Sequence, residues 1–209
     1  MDDTPRCPEP LTGWKTALAA ELDHVALRDR WGLALMLIGW AHLGTFLICQ
    51  AMFSAGLRNN LPYLTLWGLE LAVNLGIMRR VAGRGWARST PLAMVLVRVW
   101  ATFLILSFNV ASLNSLTGWE IHWFKPVWAT LGTFGFATTA YLTSLWFFVP
   151  AVQMYFTGLL MVTFPGYEYA IHGLSWCLAF QGIGGILERR RARKSSAGMG
   201  PFEARSAAA

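Results

Sequence analysis

Residues 64–80 read LTLWGLELAVNLGIMRR, an apolar run long enough to cross a bilayer with a carboxylate, Glu70, close to its middle. A carboxylate at that depth can carry a proton, accept hydrogen bonds from a ligand or pair with a cation. The next apolar run carries the cation, Arg98. If the two runs are oppositely directed helices, the 1.5 Å rise per residue puts both groups ~12 Å above the inner boundary, and an ion pair between them is expected. Helical spacing adds neighbours. Tyr63, Trp67 and Asn74 share the side of Glu70, while Thr102, Asn109 and Ser112 share that of Arg98. The preceding run brings His42, Thr45 and Cys49, with His42 at ~16 Å, near the level of Glu70.

The expected outcome is a buried polar centre of His42, Glu70, Asn74 and Arg98, with Asn109 further along the third helix. Such a centre suits a proton-linked or ligand-binding task, with Glu70 titrating and Arg98 tuning it. A competing account gives the ion pair a purely structural role in setting helix register.

A second group of acids and imidazoles comprises Glu120, His122, Glu168 and His172. Carboxylate and imidazole are divalent-metal ligands, but Glu168 and His172 also have the spacing of an ordinary helix-surface pair, and Glu120 and His122 stand two apart in an expected loop. Haem ligation needs histidines at matched depth, and His42 and His172 differ by ~6 Å. Neither haem nor quinone is indicated by ligand spacing, although Trp40, Trp67 and Trp176 are the interior tryptophans that could line such a pocket. No GxSxG, HExxH, P-loop or strand-borne GxGxxG occurs, no catalytic residue stands out, and the reading leans away from an enzyme. Gly182, Gly184 and Gly185, like Gly132, Gly135 and Thr139, fit close helix packing instead.

The elements that must position these groups follow from composition. Of the 209 residues, 55% are hydrophobic, 13% charged and 14% aromatic, and the mean hydropathy is +0.43. These values fit an all-α integral membrane protein. Spans are expected over 31–53, 61–78, 90–115, 127–148, 150–164 and 167–187, with Pro150 opening the fifth and Pro165-Gly166 turning into the sixth. The fifth would reach only ~22 Å across a core of ~30 Å. Basic residues gather at Arg28 and Arg30, at Arg79, Arg80, Arg84 and Arg88, and from Arg189 to Lys194, which places both termini in the cytoplasm and makes the number of crossings even.

The expected organisation is thus an N-terminal segment, 1–30, with an amphipathic interfacial helix marked by Trp14, Leu18, Leu22 and Val25, a six-helix transmembrane domain, 31–187, and a basic disordered tail, 188–209. Its partners are the bilayer and anionic headgroups at the basic loops, with other membrane subunits or a second copy as further candidates. The net charge of +6 is accounted for by topology, and no nucleic-acid module is present. Two functions are compatible with this pattern. One is transport or sensing of a small solute or proton through the polar centre. The other is an accessory or anchoring role in a larger membrane complex, including a redox complex.

Overall fold

The computed structural model describes residues 12–117 and 121–198. Seven α-helices follow in order: α1 (Thr12–Arg28), α2 (Trp31–Ser54), α3 (Asn60–Val81), α4 (Pro91–Thr117), α5 (Ile121–Leu142), α6 (Phe148–Thr163) and α7 (Glu168–Gly198). Short 3₁₀ turns occupy Trp86–Arg88 and Leu145–Phe147, and no strand occurs among the described residues. Among the described residues five segments are long and apolar enough to cross a membrane: Trp31–Ser54, Asn60–Val81, Pro91–Asn114, Leu145–Thr163 and Glu168–Lys194. They are compatible with an integral membrane protein.

Local chemistry sets the helix ends. The Asn59 side chain accepts from the Leu61 N–H at 3.0 Å to cap α3, and Thr90 Oγ1 accepts from the Ala93 N–H at 3.0 Å ahead of α4. The α1 to α2 break passes through Arg30, whose φ of 54° is left-handed. Gly83 and Gly166 take φ of 89° and 99° in the turns after α3 and before α7, where a side chain would be strained.

Two boundaries differ from the sequence expectation. The chain breaks at Ser144, which is extended (φ −148°, ψ 137°), so the FFVPAV stretch is helical and Pro150 lies inside the first turn of α6. The apolar segment ending at Thr163 therefore has 19 residues, or ~28 Å, and the expected shortfall in length disappears. At the other end, α7 continues past residue 187 to Gly198. The expected disorder of 188–209 is thus replaced by helix through 198. The run ERRRARK contains good helix formers and neither proline nor glycine, and Glu188 meets Arg191 one turn on at 3.8 Å. As for α1, the side chains of Trp14 and Leu18, on which its amphipathic character depends, lie outside the described residues, as does Glu120.

The described chain forms two compact units, one of Ala26–Trp86 with the residues from Leu159 onward, the other of Ala87–Gly158 with α1 up to Val25. In the first, α2 packs against both α3 and α7. Small residues allow the α2–α7 approach: a Cβ on Gly32 would stand 2.7 Å from the Gly184 carbonyl oxygen, and one on Gly173 2.6 Å from Phe46 Cβ. Glu188 reaches back to accept from the Leu33 N–H at 2.9 Å. Ala34, Ile38, Met78 and Ala82 form a core there, with Trp31, Trp86 and Phe180 against it.

In the second unit α4 packs against α5. The Trp128 indole donates to the Ser107 carbonyl at 3.0 Å, and Trp100 lies edge-on to Phe136 at 5.0 Å beside Gly135. Lys125, between the expected spans 90–115 and 127–148, is instead inside α5 and fully buried, with its ammonium 6.0 Å from the Phe124 ring centre.

Candidate functional site

Glu70 is buried on α3, where the apolar face turns toward α2. Its carboxylate oxygen Oε1 lies 2.6 Å from His42 Nδ1 on α2, and Asn74 Nδ2 donates to the same oxygen from 3.3 Å, one helical turn along. An ionised carboxylate can only accept, so a neutral imidazole beside it carries its hydrogen on Nδ1 and its lone pair on Nε2. The short contact is that of a charge-assisted bond. Within its unit the partners of Glu70 are His42 and Asn74; Arg98, the partner expected from depth, belongs to the other unit, on α4. Equal depth fixes only height along the bilayer normal. Which helices are neighbours, and which way each side chain points, is decided by packing, and α3 packs on α2.

The imidazole sits in an aromatic shell. Its ring centre is 4.3 Å from Phe46, 5.7 Å from Trp176 and 5.8 Å from His172. His42 Nε2 and Asn74 Oδ1 are buried and have no hydrogen-bond partner within the described protein. Such atoms are uncommon in native interiors. Toward the 54–60 turn the shell continues through Tyr169, stacked on Tyr63 with centres 5.5 Å apart and planes at 17°, and Cys49 is buried nearby on α2.

No protein-family model matches this chain, and neither a curated protein nor a solved structure shows significant similarity to it. The chemistry must be read from the residues themselves.

The structure brings His42, Glu70 and Asn74 together within one unit, and Arg98 and Asn109 lie on α4 in the other. Thr102, Asn109 and Ser112, expected on an interior face with Arg98, are all exposed on α4. Of the second expected group, Glu168 is buried at the start of α7 and accepts from the Gly166 N–H at 2.9 Å, while His172 has joined the shell of His42. The side chain of His122 and the whole of Glu120 lie outside the described residues. Among the described residues no three His, Cys, Asp or Glu side chains stand close enough to hold a metal ion.

The depth mismatch argued against a shared task for His42 and His172, yet their rings approach to 5.8 Å. Phe46 packs beside both, its ring 4.3 Å from one imidazole and 5.0 Å from the other. Trp176 is buried, Trp67 half-buried and Trp40 exposed, so only the first two of the expected interior tryptophans lie inside. Sequence reasoning missed Phe46 and its place beside both histidines. Its position four residues after His42, on the same helical face, was the available signal.

Proposed function

We propose that this chain is a six-crossing membrane protein, with α5 as the additional crossing and both ends on the cytoplasmic side, that moves or senses protons through the His42–Glu70 pair. One observation carries the reading: a buried imidazole anchored by Glu70 at Nδ1 while its Nε2 has no partner among the described residues. Such an imidazole accepts a proton at Nε2, and the imidazolium formed is held by the carboxylate beside it. The Nδ1 proton can then pass to Glu70, which leaves a neutral imidazole protonated at Nε2 and a neutral carboxylic acid. The proton count balances at each step, with one proton entering at the ring and one available to leave from the acid. Asn74 holds the carboxylate oxygen in line.

The test is proton flux. Purified chain in vesicles with a trapped pH-sensitive dye should show protein-dependent proton movement under an imposed gradient. Glu70→Gln and His42→Gln should abolish it while circular dichroism reports unchanged helix. Equal flux in wild type and Glu70→Gln would overturn the proposal.

A further inference from the structure

The α4 helix presents to its surroundings a stripe that the His42–Glu70 group does not use. Pro91, Val95, Arg98, Thr102, Ile105, Asn109, Ser112 and Leu116 follow one another at alternating steps of four and three residues, and every one of them is exposed. That spacing is the seam of a heptad, the pattern by which one helix packs along another. The opposite side of α4 is the packed one, with Leu92, Ala93, Ala111 and Asn114 buried.

The polar members of the stripe fall into two classes. Thr102 and Ser112 satisfy themselves, their hydroxyls donating to the Arg98 and Phe108 carbonyls of their own helix at 2.9 and 2.8 Å. The side chains of Arg98 and Asn109 have no hydrogen-bond or ion-pair partner among the described residues. Arg98 lies ~10 Å along the helix from Pro91, and Asn109 ~16 Å beyond Arg98, so both fall inside the segment apolar enough to span. A guanidinium at that depth calls for a carboxylate, and an amide in a heptad seam fixes the register of whatever packs there.

We infer that the exposed α4 seam docks a transmembrane helix of a different protein, one that carries an aspartate or glutamate at the level of Arg98 and a hydrogen-bonding side chain at the level of Asn109. A second copy of this chain inserted in the same direction would set Arg98 against Arg98, and like charges in a low-dielectric medium repel strongly. The occupant is therefore acidic where this chain is basic. The inference stands apart from the proton pathway, because the seam residues belong to the other compact unit.

The test uses the full chain, fluorescently labelled, in phosphatidylcholine vesicles with synthetic polyleucine helices. One helix carries Glu at the Arg98 depth and Asn at the Asn109 depth, and its control carries Gln in place of Glu. Energy transfer should report association with the Glu helix about tenfold tighter than with the Gln helix. Arg98→Gln should erase that preference, Arg98→Glu should transfer it to a Lys-bearing helix, and Asn109→Leu should weaken association about threefold while keeping the preference for Glu. Equal association of the wild-type chain with both helices overturns the inference without any variant. So does energy transfer between copies of the chain that Arg98→Gln abolishes, which would make the occupant a second copy. Protection of an Arg98→Cys thiol from a bilayer-soluble maleimide in the lone chain would also overturn it, since the face would then be covered from within.

Discussion

Gly32 on α2 and Gly184 on α7 face each other so closely that a Cβ on Gly184 would stand 2.5 Å from the Gly32 carbonyl oxygen and 2.6 Å from Met36 Cγ. Both obstacles belong to α2, one of them backbone, so the helices must separate to admit even a methyl group. Gly184→Ala should destabilise the protein by about 1–3 kcal/mol in detergent unfolding. Gly182→Ala and Gly185→Ala meet nothing within 4 Å and should be neutral or stabilising by up to about 1 kcal/mol, because alanine is the better helix former. Equal effects at all three positions would show that contact with α2 is not the cause.

Gln50 ties α2 to the start of α7 with both ends of its carboxamide. Nε2 donates to the Gly166 carbonyl at 2.6 Å, and Oε1 accepts from the Ala170 N–H at 3.3 Å. Gln50→Met keeps the volume and loses both bonds. It should cost about 1–3 kcal/mol, with faster amide exchange at Ala170 as the local readout. Unchanged exchange there would refute the assignment.

The His42–Glu70 bond should appear as an interaction energy between two substitutions. In a double-mutant cycle with His42→Phe and Glu70→Leu, the coupling should be about 1–2 kcal/mol, a modest value because groups in the unfolded but inserted chain also find partners. Arg98→Leu combined with Glu70→Leu should be additive. A Glu70–Arg98 coupling larger than the Glu70–His42 one would reverse the assignment.

Arg30 holds a left-handed backbone conformation, φ 54° and ψ 38°, at the junction of α1 and α2. Glycine adopts that conformation without the clash between Cβ and backbone, so Arg30→Gly should stabilise by about 1 kcal/mol, and Arg30→Val should destabilise by at least as much. Thermal unfolding of the three proteins gives the comparison.

Much of this fold was legible in composition. Apolar runs bounded by Asn59, Thr90 and the basic clusters show where α2, α3 and α4 begin and end to within a few residues, because a bilayer demands long, self-satisfied helices. The break between α5 and α6 was not. Proline reads as a boundary, yet Pro150 sits in a first turn that needs no N–H from it, and Ser144 carries no comparable signal. The site was half legible: polarity singled out His42, Glu70 and Asn74, and rise per residue gave their heights. Rotation about each helix axis and choice of neighbour depend on shape, here on Gly32, Gly173 and Gly184 drawing α7 onto α2. That is why His172 and Phe46 arrived beside His42.

The unbroken course of α7 has a mechanical consequence. Its 31 residues amount to a rod of ~46 Å, well beyond the ~30 Å hydrocarbon thickness, so Arg189, Arg190, Arg191 and Arg193 are carried on a stiff stalk rather than a loose tether. Each positive charge then has a fixed compass bearing relative to His172 below it. Inserting a single residue near Leu187 would swing the whole basic set by ~100° about the axis, changing its direction without changing its charge.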